Sequence, residues 1–346
     1  ANGLKLSIYA STAVGALGML HLSRKLGIGV LGALAASLAM SFGSVNLLEI
    51  VEGHQNILAA MYIPWIFYAW YSAYHATGKK QRYAILTLTI LLALMFFQGG
   101  IYLLMYLAGA FGMLFILARH KKRALFITVS SGIHAFGIAA IKIIPVGLWI
   151  TQFQDSAYAS SAYTLANLDD IFLGRILYGA EHIIPNQGGG WHEYGAYIGP
   201  VILILAIAGL IFRRKSYIVR YLALCAIIAT LVSSLGPYLK PVFDQLSFIP
   251  RSNISRVILF AVIPISLLAG FGLDSIQKRS RLMQAVALII LTLASIDIMS
   301  LAYPLASQAF VLPHVTRAIT PAPHPIAYSP FEYETRHKGV DYTRAY

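Results

Sequence analysis

Two short stretches bring together side chains able to move protons or hold ions. The first is Ser44-Val45-Asn46-Leu47-Leu48-Glu49-Ile50-Val51-Glu52-Gly53-His54-Gln55-Asn56, with two carboxylates, an imidazole and no basic residue. Such a set can act as a general base, hold a divalent cation, or simply meet water. Glu49 and Glu52 equally suit the positive N-terminal end of the next helix. The second stretch runs Gly188-Gly189-Gly190-Trp191-His192-Glu193-Tyr194-Gly195-Ala196-Tyr197. Its glycines permit close backbone approach. Trp191, His192, Glu193 and Tyr194 suit a wall for a sugar or lipid headgroup, and the aromatics equally suit an interfacial belt. Arg251 and Arg256 flank Ser252-Asn253-Ile254-Ser255; a guanidinium fork suits phosphate, and a long basic stem also suits snorkelling at a helix end. Asp169-Asp170 reads as a carboxylate pair or a helix N-cap. None of these stretches has the His-Glu-x-x-His spacing of a zinc site.

The elements that must position these groups follow from composition. Of 346 residues, 58% are hydrophobic and only 11% charged, with a mean hydropathy of +0.70. Soluble domains carry about 25% charged residues, and disorder needs low hydrophobicity, so both classes are excluded. Lipid admits only helices or closed barrels as spanning structures. The apolar runs approach 20 residues without the alternation a barrel strand needs. The fold expected is therefore an all-α, polytopic transmembrane bundle. The net charge of +13 then reads as orientation charge rather than as a nucleic-acid surface. The single cysteine, Cys225, excludes an internal disulfide.

A window of about 20 residues predicts about ten spans: roughly 6–22, 27–44, 57–75, 83–98, 100–118, 123–150, 194–212, 217–235, 256–276 and 282–302. Gln98-Gly99-Gly100 joins the fourth and fifth as a tight hairpin. Sixteen of the 26 Lys and Arg fall in five short alternate loops, at Arg24–Lys25, Lys79–Arg82, Arg119–Arg123, Arg213–Arg220 and Lys278–Arg281. The positive-inside rule makes those loops cytoplasmic. Eleven of the 13 acids sort to the opposite side, Asp274 and Asp297 being the exceptions. Both chain ends then face outward, and a multi-pass protein of the cell membrane is expected. Residues 1–302 form the bundle, with a large outer loop at 151–193. Residues 303–346, rich in proline, form an outward segment that is irregular from Pro304 onward and leads toward an outer domain. Lys142, inside a span, calls for a cavity or a partner, and Asp297 is one candidate partner.

Three stretches resemble the YfhO-like bacterial membrane proteins of the GT-C glycosyltransferase superfamily. Leu22-Ser23-Arg24-Lys25-Leu26-Gly27, with Glu52-Gly53-His54-Gln55-Asn56-Ile57-Leu58 after it, is similar to that family's early helices and Gly-His motif. Trp191-His192-Glu193-Tyr194-Gly195-Ala196-Tyr197-Ile198-Gly199 resembles its large-loop exit. Arg256-Val257-Ile258-Leu259-Phe260, ending in Ala269-Gly270-Phe271-Gly272-Leu273-Asp274, resembles its arginine-led span. Their order matches over roughly residues 5–280. The resemblance implies a GT-C-like bundle and transfer of a sugar from a polyprenyl-phosphate-linked donor on the extracytoplasmic face. On that reading Glu52, His54 and Glu193 are the catalytic candidates. Arg251, Arg256, His192, Trp191 and Tyr194 are the substrate-binding candidates. Donor and membrane lipids are the partners, and a divalent cation is an open question. The family's main acidic residue lies in a first outer loop that would stand upstream of Ala1. The family often has a second Gly-His where this chain has Gln98-Gly99-Gly100-Ile101, so no site residue is expected at that hairpin. A transporter or lipid flippase, with intramembrane charges along a path, and a non-catalytic assembly protein are the alternatives.

Overall fold

The computed structural model describes residues 2–51, 53–152, 163–175, 191–235, 238 and 254–308. Twelve α-helices organise them: α1 (Asn2–Lys25), α2 (Val30–Phe42), α3 (Ser44–Val51), α4 (Ile63–His75), α5 (Gly78–Gln98), α6 (Ile101–Leu117), α7 (Lys121–Gln152), α8 (Leu168–Leu173), α9 (Pro200–Phe212), α10 (Tyr217–Ser234), α11 (Leu259–Gln277) and α12 (Arg281–Gln308). Short 3-10 helices add Gln55–Tyr62, Leu165–Asn167, Trp191–Glu193 and Ile254–Ile258. No strand occurs among the described residues.

Seven helical segments are long and apolar enough to cross a membrane: Lys5–Lys25, Val30–Val51, Gly78–Gln98, Lys121–Leu148, Tyr217–Ser234, Ile254–Gln277 and Arg281–Ala306. Large apolar side chains stand outward on them, among them Ile141, 79% exposed, and Leu282, 70% exposed. Such a surface suits hydrocarbon and not water.

The other three expected spans take shorter forms. Residues 57–75 divide into the 3-10 helix Gln55–Tyr62 and α4, which starts at a proline-bearing first turn. The 100–118 run is α6, of 17 residues. The 194–212 run keeps only α9 as helix, 13 residues, or about 20 Å. Its first part, 194–199, is a turn and irregular chain. Tyr194, Ala196, Tyr197 and Ile198 are buried there. Ala196 N–H donates to Ile171 O at 3.0 Å and Ile198 N–H to Phe172 O at 3.2 Å. Irregular backbone survives at such depth only when it is enclosed by protein and hydrogen-bonded.

The Ile254–Gln277 segment is the axis of the bundle, buried throughout its most apolar stretch. It packs on α9, α2 and α10, and glycine allows the closest approaches. A Cβ on Gly209 would strike Leu268 O, and one on Gly272 would strike Leu205 O. Small residues of this kind let helix backbones touch where lipid supplies no hydrophobic drive. At one end of the axis Asp274 is fully buried. It accepts hydrogen bonds from Gly29 N–H at 2.9 Å, Lys278 Nζ at 2.7 Å and Arg213 Nη2 at 3.1 Å. An acid among the basic loops is thereby explained: it holds the first turn of α2 and neutralises two cations.

Two expectations are corrected at the other charged positions. Lys142 Nζ donates to Phe97 O at 2.6 Å, where the C-terminal carbonyls of α5 are electron-rich. Asp297 instead pairs with Arg175 Nη1 at 2.7 Å and accepts the Tyr197 hydroxyl at 2.6 Å. The bundle also extends past residue 302. Helix α12 continues through Pro304 to Gln308, with Leu301, Ala302 and Leu305 buried. Pro304 lacks the N–H that would bond Ser300 O and its ring crowds that carbonyl, yet the helix runs four residues beyond it. Residues 309–346 lie outside the described part.

Candidate functional site

The site grows from a helix stop. After α3 the chain turns at Gly53, φ +85°. Gly53 N–H bonds Ile50 O at 3.0 Å, and His54 N–H bonds Glu49 O at 2.9 Å. This is a Schellman closure, in which the residue after a left-handed glycine folds back on the residue five positions earlier. The sequence spacing Glu49…Gly53-His54 therefore sets the imidazole against the carboxylate. His54 Nδ1–H donates to Glu49 Oε2 at 2.6 Å. Glu49 is buried and His54 is 37% exposed.

The second stretch arrives beside it through backbone bonds. Ser44, at the start of α3, donates its N–H to Tyr197 O at 3.0 Å. Tyr197 N–H in turn donates to Ser44 Oγ at 2.7 Å. The 3-10 turn Trp191–Glu193 precedes this pairing and carries His192 and Glu193 to the end of α3. The His54 and His192 rings stand edge to face with centroids 5.3 Å apart. His192 Nε2 lies 3.4 Å from Glu193 Oε1.

Arg256 joins the two. It sits on the 3-10 turn Ile254–Ile258 that leads into α11, with its side chain only 14% exposed. Its Nε and Nη2 donate to the two oxygens of Glu193, each at 2.6 Å. The Nε also lies 3.1 Å from Glu49 Oε1. A guanidinium at such depth needs paired carboxylates, since desolvating an unpaired ion costs several kcal/mol. Below the guanidinium lies the Tyr102 ring, its centroid 5.3 Å from the Arg256 Cζ.

Glu49, His54, His192, Glu193 and Arg256 are thus one cluster. Arg256 spends its fork on Glu193, so its expected role as a bidentate phosphate ligand does not describe this arrangement. Trp191 and Tyr194 lie in the protein core, Tyr194 with no exposure, and Tyr194 packs edge to face on Tyr163. Asp169 and Asp170 occupy the first turn of α8, whose N-cap is Asn167. Glu52 and Arg251 lie outside the described residues.

One member was not legible beforehand. Tyr102 is 5% exposed, and its buried hydroxyl has no hydrogen-bond partner among the described residues. It stands in the first turn of α6, directly after the hairpin where no site residue was expected. Gly99, φ +91°, closes α5 and turns the chain there.

The imidazoles and Glu193 were also tested as a metal set. Ligand atoms of His54, His192 and Glu193 lie within 4.8 Å of one another. The donor chemistry opposes a resident divalent cation. Both Glu193 oxygens are bonded by Arg256, and a guanidinium charge adjoins the centre. What the arrangement offers instead is proton transfer. With Nδ1–H fixed on Glu49, the lone pair of His54 lies on Nε2, and that nitrogen is a carboxylate-oriented base. No family model matches this chain, and a search of characterised proteins finds no similar one.

Proposed function

We propose that the chain is a membrane glycosyltransferase that moves a sugar from a polyprenyl-phosphate-linked donor to an acceptor on the extracytoplasmic face of the cell membrane. The carrying observation is the half-exposed imidazole of His54, oriented by the buried carboxylate of Glu49 at 2.6 Å. His54 Nε2 takes the proton of an acceptor hydroxyl as its oxygen attacks the sugar's anomeric carbon. The bond from that carbon to the phosphate oxygen breaks, and polyprenyl phosphate leaves with the electron pair. Glu49 keeps the imidazole in the reactive tautomer and stabilises the imidazolium that forms. Arg256, bonded between Glu49 and Glu193, holds both carboxylates in place beside the imidazole.

Two further observations support this reading. The three stretches that resemble the YfhO-like family supply His54, His192, Glu193 and Arg256, which meet in one cluster. An apolar cavity of about 1310 Å³ adjoins the cluster through Ile254 and Val257, which suits a long isoprenoid. That cavity also favours a second reading, a lipid flippase.

The full chain in liposomes, supplied with a radiolabelled sugar on polyprenyl phosphate, separates them. Transfer should fall about 10²–10⁴-fold in His54→Gln, the usual worth of a positioned base, and comparably in Glu49→Gln. Undiminished transfer in His54→Gln overturns the proposal. Lipid movement without transfer selects the second reading.

A further inference from the structure

The same cavity has a second end that the transferase reading does not use. It runs along α6 from Ile101 to Leu117, a helical length of about 25 Å, and continues to Arg119, His120 and Arg123. Between its ends it is walled by apolar groups such as Met105, Met113, Leu222 and Phe260. Among the described residues no aspartate or glutamate lines it. At the far mouth the basic groups converge under tyrosine hydroxyls. Tyr74 Oη accepts the His120 N–H at 3.0 Å, and Tyr217 Oη donates to Leu117 O at 2.6 Å. These bonds pin the turn over the opening.

The cations there have no acidic counterpart. Arg123 Nη2 donates to Ala73 O and Ala76 O, where α4 ends. Its Nε is buried and has no hydrogen-bond partner among the described residues. Among the described residues no carboxylate is paired with Arg119, His120 or Arg123. Orientation charge alone does not require this placement, because Lys79, Lys80 and Arg82 serve the same bias without lining the cavity. A long apolar channel closed by uncompensated cations is complementary to an amphiphile with an anionic head.

We propose that the cavity holds an anionic glycerophospholipid, with its phosphate at Arg119, His120 and Arg123 and its acyl tail directed toward Phe260. The headgroup then lies at the end opposite Glu49 and Arg256, so it is distinct from a donor head bound there even though both tails would draw on one cavity, and the proposal does not depend on the transferase reading.

The test uses the full chain in phosphatidylcholine nanodiscs carrying a diazirine-tailed phosphatidylglycerol or its diazirine-tailed phosphatidylcholine counterpart. On photolysis the anionic probe should label the α6 and α10 walls, around Met105, Met113 and Ile228, in clear excess over the zwitterionic one. Each basic group near a headgroup is worth about five-fold in affinity. Arg119→Glu with His120→Glu should abolish the excess, and both side chains are exposed. Should that variant lose its melting transition, Arg119→Gln with His120→Gln replaces it. Equal labelling by the two probes, an excess that survives the substitutions, or label confined to the outer faces of α7 and α12 overturns the proposal. Displacement of the probe by inorganic phosphate overturns it as well, since the site would then be one for the free ion.

Discussion

A phenol beside a guanidinium, with its hydroxyl buried and unbonded, separates stability from activity at a single oxygen. Leaving a buried hydroxyl unpaired costs about 1–3 kcal/mol, so deleting it should not weaken the fold. Tyr102→Phe keeps the ring under Arg256 and removes only that oxygen. The melting temperature in detergent is expected to stay level or rise. On the proposed transferase reading, in which that oxygen contacts the substrate, transfer from the lipid-linked donor is expected to fall about tenfold or more. A variant with unchanged transfer assigns Tyr102 to packing alone. No sequence signal could have found it: a tyrosine opening an apolar helix reads as one more member of the core. His54 is the opposite case. A glycine followed by a histidine, five residues after a buried acid, already contains the Schellman geometry that joins the pair. Arg256 was legible as an outward cation needing a reason, while its reason, two buried carboxylates from distant stretches, was not.

Among the elements, the contact of α9 with α11 carries the tightest backbone approach, and its two glycines face each other's helix. Gly272→Val would force a side chain into Leu205 O and push the helices apart. Overpacking of this kind usually costs about 1–3 kcal/mol and sometimes more. The variant should melt lower in detergent, and the loss should be larger than for Gly112→Ala on α6, where a Cβ meets nothing within 4 Å. Equal melting of the two variants would mean that α9 and α11 are not held by this contact. At this scale the sequence was read well wherever hydrophobic length was the only signal: all seven long apolar segments fall on expected spans. It was read less well where the chain is enclosed on every side. The buried stretch 194–198 is as apolar as a helix yet is not one: Tyr194 and Gly195 turn back on Trp191, and Ile171, Ser44 and Phe172 take up the N–H groups of Ala196, Tyr197 and Ile198. Asp274 and Asp297 broke the charge alternation in the sequence. Beside the i,i+4 neighbour Lys278, their partners are long-range and only the fold identifies them: Gly29 and Arg213 for Asp274, Arg175 and Tyr197 for Asp297.

Over the whole molecule, the two ends of the bundle differ in kind. One gathers Glu49, His54, Glu193 and the Gly99–Gly100 hairpin, and the other the lysine- and arginine-rich turns. The positive-inside bias predicts a cytosolic basic end, and the proposed chemistry needs the acidic end outside. The single cysteine makes this directly measurable. Cys225 is half-buried and can be replaced by serine to leave a thiol-free chain. Gln55→Cys and Lys122→Cys then place one thiol at each end, both at exposed positions. A membrane-impermeant maleimide should label Gln55→Cys in intact cells and Lys122→Cys only after permeabilisation. The opposite pattern would put His54 in the cytosol, out of reach of a donor headgroup presented on the outer leaflet. It would also carry the Arg119–Arg123 mouth to the external face, where the anionic leaflet that favours basic groups is absent. One labelling experiment therefore bears on both ends of the cavity, because an inverted bundle separates each charged cluster from the lipid its chemistry requires.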